Sequence, residues 1–450
     1  MELTKKNNSL INTLLKIGLP IAMQNFVVTS LNLIDNIMIG TRGEVALAAV
    51  SLSNRLYFIL LITMFGALSG MGIFTSQYWG IKDIKSIKKI IGIGITLSII
   101  ISFVFFLAAQ IFPKEILSIF SNDPLLLKQG AQYLKIVSFS YMPMTLGYVF
   151  VYNSRSIHRT KLPMISSIIA LSINTLLNYI LINGKLGFPV MGVKGAAIAT
   201  VIARTLEATI LLTIIFSSKT HPLKGKISEY FSYNYALFKK VMKKTIPVLI
   251  NEAGWSIGMS IYFIAYGALG AKAIASLQVA LTISDLFWAF LIGFGNAVAV
   301  IMGNQLGAKE IDKAQHTAKK TMKYNFIGTI LFGLIYLLTG KYVASIFNFD
   351  SKTISDSINL IIVSAIFMVV KGMNFLLIIG ILRSGGDTKF CMIVDGITIY
   401  FIGIPLAFLS VYVFKLPVQW TLTVVYCEEI IKFFILYYRY KSNKWINVLI

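Results

Sequence analysis

Four polar residues of this chain fall at a common depth in long apolar runs, where polar side chains are expensive to keep. Asp35 lies roughly 22 Å above Pro20 in the first run, at the helical rise per residue. Asn174 and Asn178 are four apart and so share one helical face, roughly 18 and 24 Å into the fifth run. Thr200 lies about 12 Å into the sixth run, counted from its opposite end, which brings it near the same level. One carboxylate, two amides and one hydroxyl offer oxygen ligands for a hard cation such as Na+, and a desolvated Asp readily takes a proton. A carboxylate at mid-bilayer costs about 2.5–3.5 kcal/mol on insertion scales, so its presence argues for a role. The competing reading is hydrogen bonding between helices.

The second half of the chain carries its own intramembrane charges. Glu252 sits about 8 Å above Pro247 on the seventh run, well below the Asp35 level. Asp285 on the eighth run reads as a second buried acid, and Asp395 lies near the inner end of the eleventh. Lys371 is midway along the tenth run and needs a partner if buried, with Glu252 or Asp285 expected to supply it. Such a bridge would occupy the acid and weaken a second cation site; otherwise Lys371 snorkels or faces a wet cleft. Glu428, Glu429 and Lys432 have the spacing of a local helical pair, and Asp387 reads as a loop or cap residue. His158, His221 and His316 fall in or beside loops and form no catalytic array, and Cys391 and Cys427 have neither metal-ligand nor disulfide spacing. Met71, Met142, Met144, Met302, Met368 and Met373 read as packing before cleft lining. Trp255 and Trp288 are candidate cleft aromatics, whereas Trp79, Trp420 and Trp445 fit interface anchors.

The elements that hold these residues are membrane-spanning helices. Of 450 residues, 56% are hydrophobic and 13% charged, and mean hydropathy is +0.77, too little charge to cover a soluble surface. Runs long enough to cross about 30 Å of hydrocarbon occur at 13–38, 46–76, 89–111, 131–154, 162–183, 192–215, 246–268, 274–302, 324–340, 356–381, 390–413 and 419–438. The first is too long for a cleaved signal, carries Pro20 and Asp35, and lacks a small-residue cleavage site. Twelve spans put both termini on one side. The formal charge of +23 is topological: 28 of the 41 Lys and Arg fall in segments on that side, including 219–244 and the tail from Lys432. The positive-inside rule makes that side cytoplasmic, and no basic module for nucleic acid is present.

The chain also repeats itself. A shift of 227 residues aligns Pro20 with Pro247, Gly40 with Gly267, Gly43 with Gly270, Gly66 with Gly293 and Gly80 with Gly307. A shift of 228 aligns Arg155-Ser156 with Arg383-Ser384 and Thr160-Lys161 with Thr388-Lys389. Six spans per half is even, so both halves enter from the same side and the repeat is parallel. The expected organisation is an all-α membrane protein: a lobe at 1–216 with helices 1–6, a basic linker at 217–245, and a lobe at 246–450 with helices 7–12. Two lobes around a pathway suit alternating access, and no phosphate-cradling loop or selectivity filter is visible, so energy should come from an ion gradient.

The residues now support a resemblance. Pro20 with Asp-x-x-Met-x-Gly at Asp35 to Gly40, the run from Gly192 to Thr200, Gln77-Tyr78-Trp79-Gly80, and the run from Leu382 to Lys389 resemble the MATE (multidrug and toxic compound extrusion) transporters over essentially the whole chain. The resemblance implies a prokaryotic-type antiporter, not an enzyme, that exports amphipathic, often cationic compounds against Na+ or H+ in the cell membrane. It assigns an N-lobe cation site to Asp35, Asn174, Asn178 and Thr200, with an Asp in place of Asn178 in some relatives. It also implies ion coupling through Glu252, while the acid usual midway along span 10 is here replaced by Lys371. No cofactor beyond the coupling ion is expected, and partners are small substrates and membrane lipids around a monomer. A lipid-linked saccharide flippase of the same broad superfamily is the alternative, kept open by Arg55, Arg204 and Lys371 as a basic set.

Overall fold

A computed structural model describes residues 2–121, 123–346 and 350–450, with side chains at all of these except 2–9, 31, 33, 271 and 343–346. Helices α1 (Glu2–Gly40), α2 (Glu44–Gly80) and α3 (Ile84–Ile111) are followed by α4 (Pro124–Ser156), which tightens into a 3-10 turn at Ser138–Ser140. Next come α5 (Lys161–Asn183), α6 (Val193–Ser217), α7 (Tyr235–Gly267), α8 (Ala271–Gly307) and α9 (Ile311–Ile346). The last three are α10 (Ser351–Leu382), α11 (Thr388–Val413) and α12 (Val418–Lys441). Short helices at Pro113–Ser118 and Ile227–Tyr230 lie between these spans. Eleven of the twelve are long and apolar enough to cross a membrane; α12 has the length, but Glu428, Glu429, Lys432, Arg439 and Lys441 dilute its apolar content.

Sequence chemistry sets many of the ends. Asp83 accepts from Ser86 N at 3.0 Å to start α3, and Asp350 accepts from Thr353 N at 2.8 Å to start α10. Gly184 takes the left-handed conformation (φ 65°) that closes α5, and its main chain crowds Val190, so a side chain there is doubly excluded. Several helices run beyond the hydrophobic stretches that announce them. α7 begins at Tyr235, not 246, and α9 at Ile311, not 324, because their basic first turns are amphipathic extensions of the span.

Packing groups the chain into two compact units. One comprises Met23–Thr75 and Lys82–Met242; the other comprises Met1–Ala22, Ser76–Ile81 and Lys243–Ile450. They are called the N-terminal and C-terminal units below. Most of the linker therefore packs with the N-terminal unit. Lys88 on α3 pairs with Glu229 at 2.8 Å, Tyr233 shares a 2.8 Å hydrogen bond with Thr96, and buried Tyr230 donates to Leu223 O at 2.6 Å.

Glycine explains why two short pieces of the first half join the C-terminal unit. A Cβ on Gly80 would strike the main chain of Asn304 and Ala308, and one on Gly307 would strike the main chain of Gln77. The ends of α2 and α8 thus touch backbone to backbone, and the two glycines involved are the pair matched by the 227-residue repeat. Gly293 on α8 also packs tightly on Gly18 and Ala22 of α1, though less closely than that pair. Small residues at crossings are how helices gain contact where lipid provides no hydrophobic drive between them.

Three stretches in the C-terminal unit widen to π geometry: Leu376–Leu382 ending α10, and Thr398–Gly403 and Leu409–Val413 within α11. Such turns place an extra residue in the helix and turn its side chains toward new neighbours. The first precedes Arg383 and the second follows Asp395, both of which belong to the buried polar cluster described next.

Candidate coupling sites in the two units

In the N-terminal unit, the four expected residues meet on α1, α5 and α6. Asn178 donates from Nδ2 to Asp35 Oδ1 at 2.7 Å and lies 3.3 Å from Asn174 Oδ1. Both amides are buried, and Asn178 Oδ1 has no hydrogen-bond partner. Asp35 itself is half-buried. The Thr200 hydroxyl donates to Ala196 O at 3.0 Å, which leaves its oxygen lone pairs available. Tyr133 on α4 approaches both Asp35 and Thr200, so the site gains a phenol that sequence reading did not single out. A carboxylate, an orphaned amide oxygen and two hydroxyls can surround a small cation, or a proton on Asp35 can satisfy the amide oxygen.

A second buried network lies alongside. Arg204 Nη1 is 2.9 Å from Glu207 Oε2, and Glu207 Oε1 accepts a short hydrogen bond from Ser167. Gln24 donates to Ser167 Oγ at 2.7 Å and accepts from Arg155 Nη2 at 2.7 Å, so two arginines and one acid are linked through a serine and a glutamine. Arg155 also lies over the Tyr152 ring, 5.1 Å from its centroid. Glu207 was overlooked in the sequence although it carries the signal that singled out Asp35, a carboxyl inside an apolar run. Arg155, counted with the loop cations, is buried. Arg204 is therefore neutralised by Glu207, and Arg55 is exposed, so the basic set expected of a flippase is divided.

The C-terminal unit departs furthest from expectation. Glu252 is buried, but its partner is Arg383 at 2.7 Å, not Lys371. Arg383 reads from sequence as a loop cation, yet the π turn before it carries it inward, to 3% exposure. Lys371 Nζ lies over the Tyr426 ring at 4.3 Å from the centroid and over Trp288 at 5.8 Å, so aromatic faces replace the acid expected to hold it. Asp285 is exposed, not buried, and acts on Lys371 only through space.

Lys432 reads from sequence as one of the tail cations, yet it is among the most enclosed charges of the unit. It lies 3.2 Å from Asp395, 3.6 Å from Glu429 and 3.9 Å from Glu428. The local pairing that the spacing implied is present, and Lys432 reaches beyond it to its nearest acid, Asp395 on α11. Asn251 donates to Asp395 Oδ2 at 2.9 Å, Tyr262 to Glu428 Oε2 at 2.8 Å, and Asn374 to Glu429 Oε2 at 2.8 Å. Sequence spacing could not reveal this cluster because its members come from α7, α10, α11 and α12.

Other side chains settle into packing. Met71, Met144, Met302, Met368 and Met373 are buried, while Met142 is exposed. Trp445 is fully buried rather than an interface anchor, because the tail folds back: Asn447 donates to Gly385 O, and Leu449 N donates to Gln77 Oε1 at 2.7 Å. Asp387 caps nothing with its side chain and instead pairs with Arg439 at 2.7 Å.

Comparison with known proteins agrees with this architecture. The family model described as MatE matches residues 20–180 and 247–409, two segments that begin at the prolines of the repeat. Probable multidrug resistance protein YoeA of Bacillus subtilis is 24% identical over 403 residues, spanning 89% of this chain and 86% of its own. Probable multidrug resistance protein NorM of Thermotoga maritima is 25% identical over 409 residues, 90% of this chain and 86% of its own. Among solved structures, a MOP superfamily transporter from Pyrococcus furiosus superposes with a TM-score of 0.87 at 16% identity, covering 96% of this chain and 95% of that one. A multidrug resistance MATE family transporter in an outward-facing conformation gives 0.87 at 17% identity, covering 96% of both chains.

Proposed function

The chain belongs to the MatE family of multi-pass membrane transporters, and from that premise we propose that it is a secondary active antiporter for multidrug efflux. It exports amphipathic, cationic compounds in exchange for Na+ or H+, working in the cell membrane as a monomer with both termini cytoplasmic. The excess of Lys and Arg in alternate loops supports that orientation. The observation that carries the coupling site is the hydrogen bond from Asn178 to Asp35, with the other amide oxygen of Asn178 buried and unpaired. That arrangement lacks one positive partner, which an entering cation or proton supplies. Asn174 and Thr200 complete the oxygen set.

Coupling follows if the two ligands favour opposed states. Substrate loads from the cytoplasmic side, and the ion entering from outside at Asp35 favours the state in which substrate is released. The free energy of exchange is set by how differently each ligand binds the two states, not by how tightly it binds either one.

Ethidium efflux from cells or energised inverted vesicles tests this, comparing wild type with Asp35→Asn at equal expression, with and without Na+. Loss of efflux in Asp35→Asn supports the coupling role, and the Na+ response identifies the ion. Normal pumping by Asp35→Asn overturns it. If wild type moves no dye, lipid-reporter translocation in liposomes becomes the discriminating assay.

A further inference from the structure

Lys371 on α10 meets aromatic faces where an enclosed lysine ordinarily finds a carboxylate. Its ammonium is 4.3 Å from the centroid of the Tyr426 ring and 5.8 Å from that of Trp288, both within cation–π range. Asp285 and Glu429 act on it only through space, and Lys432 opposes it. Glu429 is already engaged, by Lys432 at 3.6 Å and by Asn374 at 2.8 Å. The two rings do not depend on the ammonium for their positions. Trp288 meets Phe375 edge-on at 5.8 Å, and Tyr426 rests against Phe367 at 5.4 Å, so the pair keeps its spacing if the lysine leaves.

This aromatic box can be reached. Lys371, Trp288 and Tyr426 are only partly buried, and Asp285, about one turn before Trp288 on α8, is exposed. Asp285 lies about 21 Å from the nearer end of that helix. A carboxyl exposed at such depth faces water rather than lipid, because a charged group in hydrocarbon is too costly. A wet approach therefore leads past a carboxyl to two ring faces, the arrangement by which proteins recognise organic ammonium compounds. Here that place is filled by the chain's own ammonium, on a flexible four-carbon stem that can withdraw.

We propose that Lys371 is a specificity-determining residue, a tethered cation that fills the Trp288–Tyr426 box until a transported organic cation displaces it. The proposal rests on the antiporter reading only for the class of compound moved. A small ammonium gains nothing by the exchange, since the tethered one competes at a high effective concentration. A bulky cation with delocalised charge adds apolar contact with both rings and so displaces the lysine.

Binding of tetraphenylphosphonium and of tetramethylammonium to the purified full chain, by equilibrium dialysis at fixed pH with no ion gradient, tests this. Lys371→Met should bind tetraphenylphosphonium about tenfold more tightly than wild type, the size expected when a desolvated cation–π competitor is removed. Tetramethylammonium should bind Lys371→Met but not wild type. Lys371→Arg, which keeps a cation able to stack on the rings, should bind neither probe more tightly than wild type. The gain should disappear when Tyr426→Leu or Trp288→Leu is added to Lys371→Met. Equal affinity of wild type and Lys371→Met for either probe overturns the proposal. So does a gain that survives loss of the rings, which would reflect charge repulsion alone. Lys371→Gln takes the place of Lys371→Met if the latter does not fold, and failure of both to fold makes Lys371 a structural cation and overturns the proposal. Binding is read here without transport, so these outcomes are independent of ethidium efflux by wild type, on which the antiporter reading stands.

Discussion

Replacing Glu207 by Gln tests whether the buried arginine network is held by charge compensation. Arg204 and Glu207 are 9% and 8% exposed and 2.9 Å apart, so neither can find water when the other is removed. Gln keeps the volume and a hydrogen bond but removes the charge opposite Arg204, whose remaining neighbours include the phenols of Tyr57 and Tyr148. Breaking such a pair from one side costs about 3–5 kcal/mol, because an uncompensated charge stays buried. At about 1.4 kcal/mol per tenfold, that is more than about a hundredfold in the unfolding equilibrium. Removing both charges, in Arg204→Met with Glu207→Leu, should restore stability to within about 1 kcal/mol of wild type, since an apolar pair of similar volume avoids desolvation. The assay is denaturant-dependent unfolding in detergent micelles, in which Arg204→Met, Glu207→Leu and their double variant form a cycle beside Glu207→Gln. The reasoning fails if Glu207→Gln is as stable as wild type, or if the double variant is no better than the single.

Gly307→Ala should prevent folding or strongly lower yield, since its Cβ would meet the Gln77 main chain, whereas Gly328→Ala on α9 meets nothing and should stabilise by about 0.5–1 kcal/mol. Expression with monodisperse size-exclusion profiles distinguishes the two, and equal behaviour of both would refute the backbone-contact argument. The Glu229 carboxyl is held below its ordinary value of 4.5 by the hydrogen bond from Lys88, then by the Lys226 amide. Because the folded value is the lowered one, the linker strap keeps its full contribution above pH 4.5 and loses it as pH falls through the lowered value. Limited proteolysis by a protease active across this pH range, normalised to an unfolded control, should therefore cut between 218 and 234 faster on acidification, and Glu229→Gln should already be cut readily at neutral pH.

Several levels of this protein are legible in its sequence. Apolar runs of about 20 residues have few alternatives to transmembrane helices, because lipid leaves no other partner for backbone polar groups. The repeat is legible for a similar reason: Gly80 and Gly307 sit where two main chains touch, and no other residue fits such a place. Asp35, Asn174 and Asn178 could be grouped by depth, since a helix converts residue number into height. Depth, however, says nothing about rotation, and rotation decides partners. The sequence offers Glu252 or Asp285 as the partner of Lys371, yet Lys371 lies over aromatic rings and Glu252 pairs with Arg383.

Arg383, Lys432 and Trp445 show the limit most clearly. Each reads from sequence as a residue at the membrane edge, and each is buried by a feature that residue spacing does not announce. A π turn does so for Arg383, carboxyls from two helices do so for Lys432, and a tail folded onto the 383–387 loop does so for Trp445. The solvent this protein lives in, the number of its spans, its duplication and the depth of its first acid are all written in the chain, since they follow from periodicity and transfer energy along it. Which charge answers which is fixed in the packed molecule, because a buried ion pair is a matter of a few ångströms between helices whose relative rotation no single helix encodes.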